Sequence, residues 1–140
     1  MTWLLYASLS AIGAAGVAIF AKLGLQNLDS TLATTIRAII MSGFLVIVSL
    51  FLGKFQDFNF SNLATKEWLL IAAAGISGAL SWLFYFLAIK SGPVDGVVSI
   101  DRLSIVATVI LAAVLLGEAL TWKIAAGALL MVLGALLISL

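Results

Sequence analysis

Three charged residues stand inside long apolar stretches of this sequence, Arg37, Asp101 and Arg102. A charge at the centre of a bilayer costs roughly 2.5–3.5 kcal/mol on insertion scales, and less near an end. Residues kept at that cost pair with one another, hold a solute or carry a proton. Arg37 has the chemistry to anchor an anionic or zwitterionic solute, with Asp101 modulating it. The same two residues have the chemistry of a buried ion pair that fixes two helices. Asp101 is the acid well inside an apolar run, so proton coupling would fall to it. Arg102 follows it directly and points about 100° away on a helix, where it can snorkel to the interface.

Neutral polar residues recur at helical spacing around these charges. Tyr6 and Ser10 form one stripe; Thr34, Arg37 and Met41 form a second. Ser77, Ser81 and Tyr85 form a third, with Trp82 adjacent, and Asp101, Ser104 and Thr108 a fourth. Spacings of three and four residues put each set on one helix face. A hydroxyl in a membrane helix is often satisfied by its own backbone. Four polar stripes with three charges favour a wet cavity, lined by Arg37, Asp101, Ser104, Thr108, Ser81, Trp82 and Tyr85.

The composition decides what solvent holds these residues. Only 9% of the 140 residues are charged and 64% are hydrophobic, at a mean hydropathy of +1.29. A soluble domain of this size has too much surface to hide so many apolar side chains. There is no Cys and no His, which excludes disulfides, thiolate chemistry, zinc–thiolate sites and imidazole relays. The formal net charge of +1 provides no basic field for nucleic acid. Nucleophile–base pairs, metal-ligand clusters and phosphate-binding loops are all missing from the sequence, so neither an enzyme nor a cofactor is expected.

A spanning helix needs roughly 20 mostly apolar residues. Five stretches qualify, near 3–21, 31–52, 68–89, 96–117 and 122–140. They are long, continuous and rich in Ala and Leu, unlike the alternating strands of a barrel. Lys22 follows the first stretch and no basic residue precedes it, which reads as a retained helix rather than a signal peptide. Only the connection from Gly53 to Glu67 has room for structure outside the membrane. Gly117 suits the end of the fourth span and Thr121 the cap of the fifth. Glu118 is placed to interact with the N-terminus of that fifth helix. Arg37 lies roughly 10 Å and Asp101 about 7–8 Å from the same membrane face, by helical rise. The matching depths leave a pairing of the two open.

Five crossings put the termini on opposite sides. Lys54, Lys66 and Lys123 flank one side; Lys22 and Lys90 flank the other, with Arg37 and Arg102 near its helix ends. The count reverses when the two arginines are included, so the positive-inside rule gives no orientation. Near-balance arises by chance in a charge-poor chain, and also from insertion in both directions. Trp3, Trp68 and Trp122 mark one interface as belt residues would. Gly75 and Gly78, each paired with an Ala four residues away, and Gly127 and Gly134 in the last span, are the expected helix-packing positions.

Longer motifs add to this. Gly92-Pro93-Val94 through Arg102-Leu103-Ser104 is followed by Leu115-Leu116-Gly117-Glu118-Ala119-Leu120-Thr121, then by Gly127 and Gly134. Thr34 and Arg37 stand as Thr-x-x-Arg. Together these resemble the EamA family of the drug/metabolite transporter superfamily, over nearly the whole chain. Typical members have ten helices in two five-helix repeats of inverted topology, and they move amino acids, nucleotide sugars, metabolites or drugs. This sequence carries one repeat, so the resemblance implies a partner, and an antiparallel homodimer rebuilds the inverted pair. The small multidrug resistance proteins place a carboxylate in their first helix; none stands there here.

The expectation is thus an all-α integral membrane protein of five transmembrane helices, a single EamA-like domain over 1–140. It would be a secondary transporter in the cytoplasmic (inner) membrane, an antiparallel homodimer working by alternating access. Its partners would be membrane lipids, a second copy and a small anionic or zwitterionic solute. The alternatives are a flippase component for lipid-linked groups and a non-transporting scaffold subunit.

Overall fold

The computed structural model describes residues 2–56 and 63–140. Among them there is no strand. The helices are α1 Thr2–Gly24, α2 Ser30–Phe51, α3 Thr65–Ser91, α4 Val94–Asp101, α5 Ser104–Leu111 and α6 Trp122–Ser139, with a π-helical turn at Ala112–Leu116. Taking Val94–Leu116 as one span, five helical segments are long and apolar enough to cross a membrane. The protein is an all-α membrane protein. Its large apolar side chains face outward, as at Phe51, Leu137 and Trp122, because lipid is their solvent. The expected structure outside the membrane, between Gly53 and Glu67, falls partly on residues 57–62, outside those described.

Local chemistry sets the helix ends. The Asp29 carboxylate accepts from the Thr31 and Leu32 amides at 2.9 and 3.0 Å, so α2 starts with two of its orphan donors satisfied. The Glu67 carboxylate reaches back to the Ala64 amide at 2.9 Å and does the same for α3. Thr121 Oγ1 accepts from the Ile124 amide at 3.4 Å at the head of α6. Gly117 closes the π-helical turn in the left-handed region, at φ +69°. A Cβ there would meet nothing within 4 Å, so a substitution strains only the backbone. Gly117→Ala is expected to destabilise the protein by roughly 1 kcal/mol, and Gly117→Asn by less. Thermal unfolding of the two variants in one detergent checks that order.

The fourth span is not one continuous helix. At Asp101, Arg102 and Leu103 the backbone tightens into a 3₁₀ turn. The Leu103 amide donates to Ile100 O, Ile105 to Arg102 O and Val106 to Leu103 O. An unbroken α-helix would direct the first two to Ser99 O and Asp101 O. The break thus coincides with the one carboxylate well inside a span.

The chain divides into two compact units, Met1–Leu23 with Ala88–Leu140, and Gly24–Leu87. In the first, α6 packs against α4 and α5. The close approach is at Gly96, where a Cβ would meet Pro93 Cγ at 3.2 Å and Ser139 Cα at 4.0 Å. The expected packing glycines lie elsewhere: a Cβ on Gly75, Gly78, Gly127 or Gly134 would meet nothing within 4 Å. Small size at these four positions is therefore not required by contacts within the chain. The second unit consists of α2 and most of α3, and it carries the candidate site.

Candidate functional site

A groove of about 1120 Å³ runs between α2 and α3. Thr31, Thr35, Ala38, Ser42, Leu45 and Ser49 contribute to its α2 wall. Their alternating spacing of four and three residues makes a single face. Sequence reasoning took only Thr34, Arg37 and Met41 from this helix; the longer stripe was there to be counted. The α3 wall is apolar, with Ile71, Ile76, Leu80 and Leu83 beside Gly75 and Ala79. Gly75 and Ala79 thus widen a groove, which is why Gly75 has no packing neighbour.

Arg37 is half-buried, and its guanidinium carbon lies 3.7 Å from the Trp82 ring centroid and 5.6 Å from that of Phe86. A cation over an indole face in a desolvated place gains about 2 kcal/mol, which offsets much of the cost of placing Arg37 in lipid. Trp82 is itself held in position. Tyr85 meets it edge-on at 5.4 Å and 77°, and Phe86 does so at 6.1 Å and 71°. Phe86 is buried, so the cluster has a fixed base. α2 and α3 run in opposite directions along the chain's path. Arg37 is roughly 10 Å from the start of α2 and Trp82 roughly 13 Å from the end of α3, so the two meet at similar depth. A guanidinium whose carbon sits over a ring face still carries five N–H donors on its fork.

Of the other expected pathway residues, Ser81 is exposed and does not line this groove, while Tyr85 meets the Trp82 ring edge-on. Asp101, Ser104 and Thr108 belong to the other unit. Asp101 is half-buried at the break in the fourth span, and Ser104 is exposed. The Thr108 hydroxyl donates to Ser104 O at 2.9 Å within its own helix. Thr34 and Thr35 likewise donate to Ser30 O and Thr31 O, at 2.7 and 2.9 Å. Backbone satisfaction thus accounts for these hydroxyl protons, even where the side chain also faces the groove. Thr108 and Glu118 line a separate cavity of about 130 Å³ with Ala112 and Ile124.

One polar contact in that unit has no counterpart in the expectations. Lys22 Nζ donates to Ile89 O and Gly92 O, both at 2.8 Å. These carbonyls close the C-terminus of α3, where helix acceptors lack intrahelical donors and a cation opposes the negative end of the dipole. In the sequence, Lys22 reads only as a flanking loop charge. The signal available was its position directly after an apolar run and the Gly92-Pro93 break that exposes carbonyls.

Comparison with known proteins adds identity to geometry. The family model described as the EamA-like transporter family matches residues 1–140. An "Uncharacterized transporter in cobO 3'region" from Sinorhizobium sp is 37% identical over 137 residues, covering 93% of this chain and 96% of that protein. No solved structure matches the chain.

Proposed function

The chain belongs to the EamA-like transporter family, and from that premise we propose that it is a secondary transporter of small metabolites, working by alternating access as an antiparallel homodimer. The coarse statement, a multi-pass membrane transporter, follows from the family and the five spans. The observation that carries the finer reading is Arg37 stacked over Trp82 in the α2–α3 groove. A fixed cation inside the membrane, with forked N–H donors, is a receptor for an anionic group on a small solute.

The homodimer reading draws on the repeat architecture and on a relative of one-repeat length. One five-span repeat presents one half of an inverted pair, and two copies in opposite orientation supply both. The relative named as a transporter has nearly this chain's length, so a protein of one-repeat size carries that name elsewhere. The nearly balanced flanking charges fit insertion in both directions. The 3₁₀ turn at Asp101–Leu103 gives the fourth span a place to bend as access alternates. Asp101, beside that turn, would lie along the solute's path within its own unit. Ser81, Ser104 and Thr108 would face the solute's path in the assembled dimer. The membrane would be the cytoplasmic one, and neither catalysis nor a cofactor is proposed.

Topology tests the dimer directly. Fusing the C-terminus to a reporter active only outside the cytoplasm, and separately to one active only inside, is expected to give comparable signal from both. Signal from one reporter alone contradicts the antiparallel arrangement.

A further inference from the structure

We infer that the groove selects an amphipathic monoanion, a carboxylate with an apolar tail and no ammonium group, over the zwitterion of the same shape. This rests on the transport reading and narrows its substrate class. Among the described residues that line the groove, Arg37 carries the only charge; no Asp or Glu lines it. An ammonium group entering there loses its water and meets no counter-charge. A carboxylate meets the forked N–H donors of a guanidinium whose carbon is held 3.7 Å from the Trp82 ring centroid. That geometry suits two parallel hydrogen bonds.

The hydroxyls reinforce the selection on the anion side. Thr34 and Thr35 have given their protons to Ser30 O and Thr31 O, so they have none for a carboxylate. What they retain are neutral acceptor lone pairs, which do not replace a carboxylate counter-ion for an ammonium group. Thr31, Ser42 and Ser49 add neutral hydroxyls to the same wall, so the full charge that recognises the anionic end is that of Arg37. The opposite wall takes the other end of the solute. Ile71, Ile76, Leu80 and Leu83 offer apolar surface, and Gly75 with Ala79 leaves room beside it. Polar and apolar ends of the ligand thus have separate walls.

Three probes that share one branched tail separate the possibilities: 4-methylpentanoate, leucine and 3-methylbutylamine. Binding is read as ligand-induced thermal stabilisation of the purified protein. Transport is read as uptake into proteoliposomes above vesicles carrying Arg37→Gln. The expected result is that 4-methylpentanoate binds about tenfold or more tightly than leucine, in line with an unpaired buried charge, and that the amine does not bind. Arg37→Gln abolishes the binding. Arg37→Lys keeps the order of the three probes with weaker binding throughout. Leucine binding as tightly as the carboxylate, binding by the amine, or binding by none of the three overturns the inference. The two readouts separate its failure from that of the transport reading. A carboxylate that binds and is not carried leaves the ligand class standing and removes transport. Leucine bound and carried does the reverse.

Discussion

Proteoliposomes carrying Arg37→Gln are expected to take up substrate about 100-fold more slowly than those carrying the unmodified protein. Charge-assisted hydrogen bonds to a guanidinium contribute roughly 1.5–3 kcal/mol each, and the neutral amide cannot replace them. Gln keeps length and polarity but loses the cation over Trp82, a contact at 3.7 Å. Arg37→Lys restores the charge without the planar fork and is expected to fall between the two. Stability separates a functional role from a structural one. Removing a membrane-embedded charge lowers the cost of inserting α2, so a residue kept for binding loses flux without losing stability. A residue kept only for an ion pair behaves oppositely, because its removal leaves the partner charge buried alone. Unchanged flux in a folded Arg37→Gln protein rules out the substrate role.

Lys22→Met is expected to be the most destabilising single change outside the groove, by roughly 2–4 kcal/mol. The ammonium bonds two carbonyls at 2.8 Å, and Ile89, which supplies one of them, is fully buried. Methionine fits the same stem and removes every donor, so both acceptors at the end of α3 lose their partner. Water cannot take its place freely where the chain borders lipid. The change also removes the positive charge opposite the helix dipole. Lys22→Arg keeps charge and donors and is expected to recover most of the loss. The midpoint of thermal or denaturant unfolding in detergent measures both. Equal stability of Lys22→Met and the unmodified protein contradicts the clasp.

The five spans were legible because nothing but lipid solvates such long apolar runs, and the junction of the last two followed from Gly117 and Thr121. Arg37 was legible for the same reason in reverse, since a charge there needs a cause. Its partner was harder to see. Trp82 meets Arg37 only because α2 and α3 run antiparallel and place the two at similar depth, a relation between segments that periodicity within one segment does not express. The break at Asp101–Leu103 had no local sign, because that stretch contains neither Gly nor Pro. Lys22 was read as a loop charge because its acceptors are backbone atoms some 67 and 70 residues away in sequence. The glycines are ambiguous in sequence for a physical reason. Gly75 looks the same in sequence whether it brings two helices together or leaves space between a helix and a solute.

On the proposed function, the five-span chain transports by itself, with Arg37 at its site. The purified chain alone, reconstituted into liposomes preloaded with unlabelled 4-methylpentanoate, tests it by counterflow of the labelled compound. Transient accumulation above protein-free vesicles, lost with Arg37→Gln, is the expected result. Folded protein in the bilayer with no counterflow of this carboxylate, or counterflow indifferent to Arg37→Gln, would contradict it.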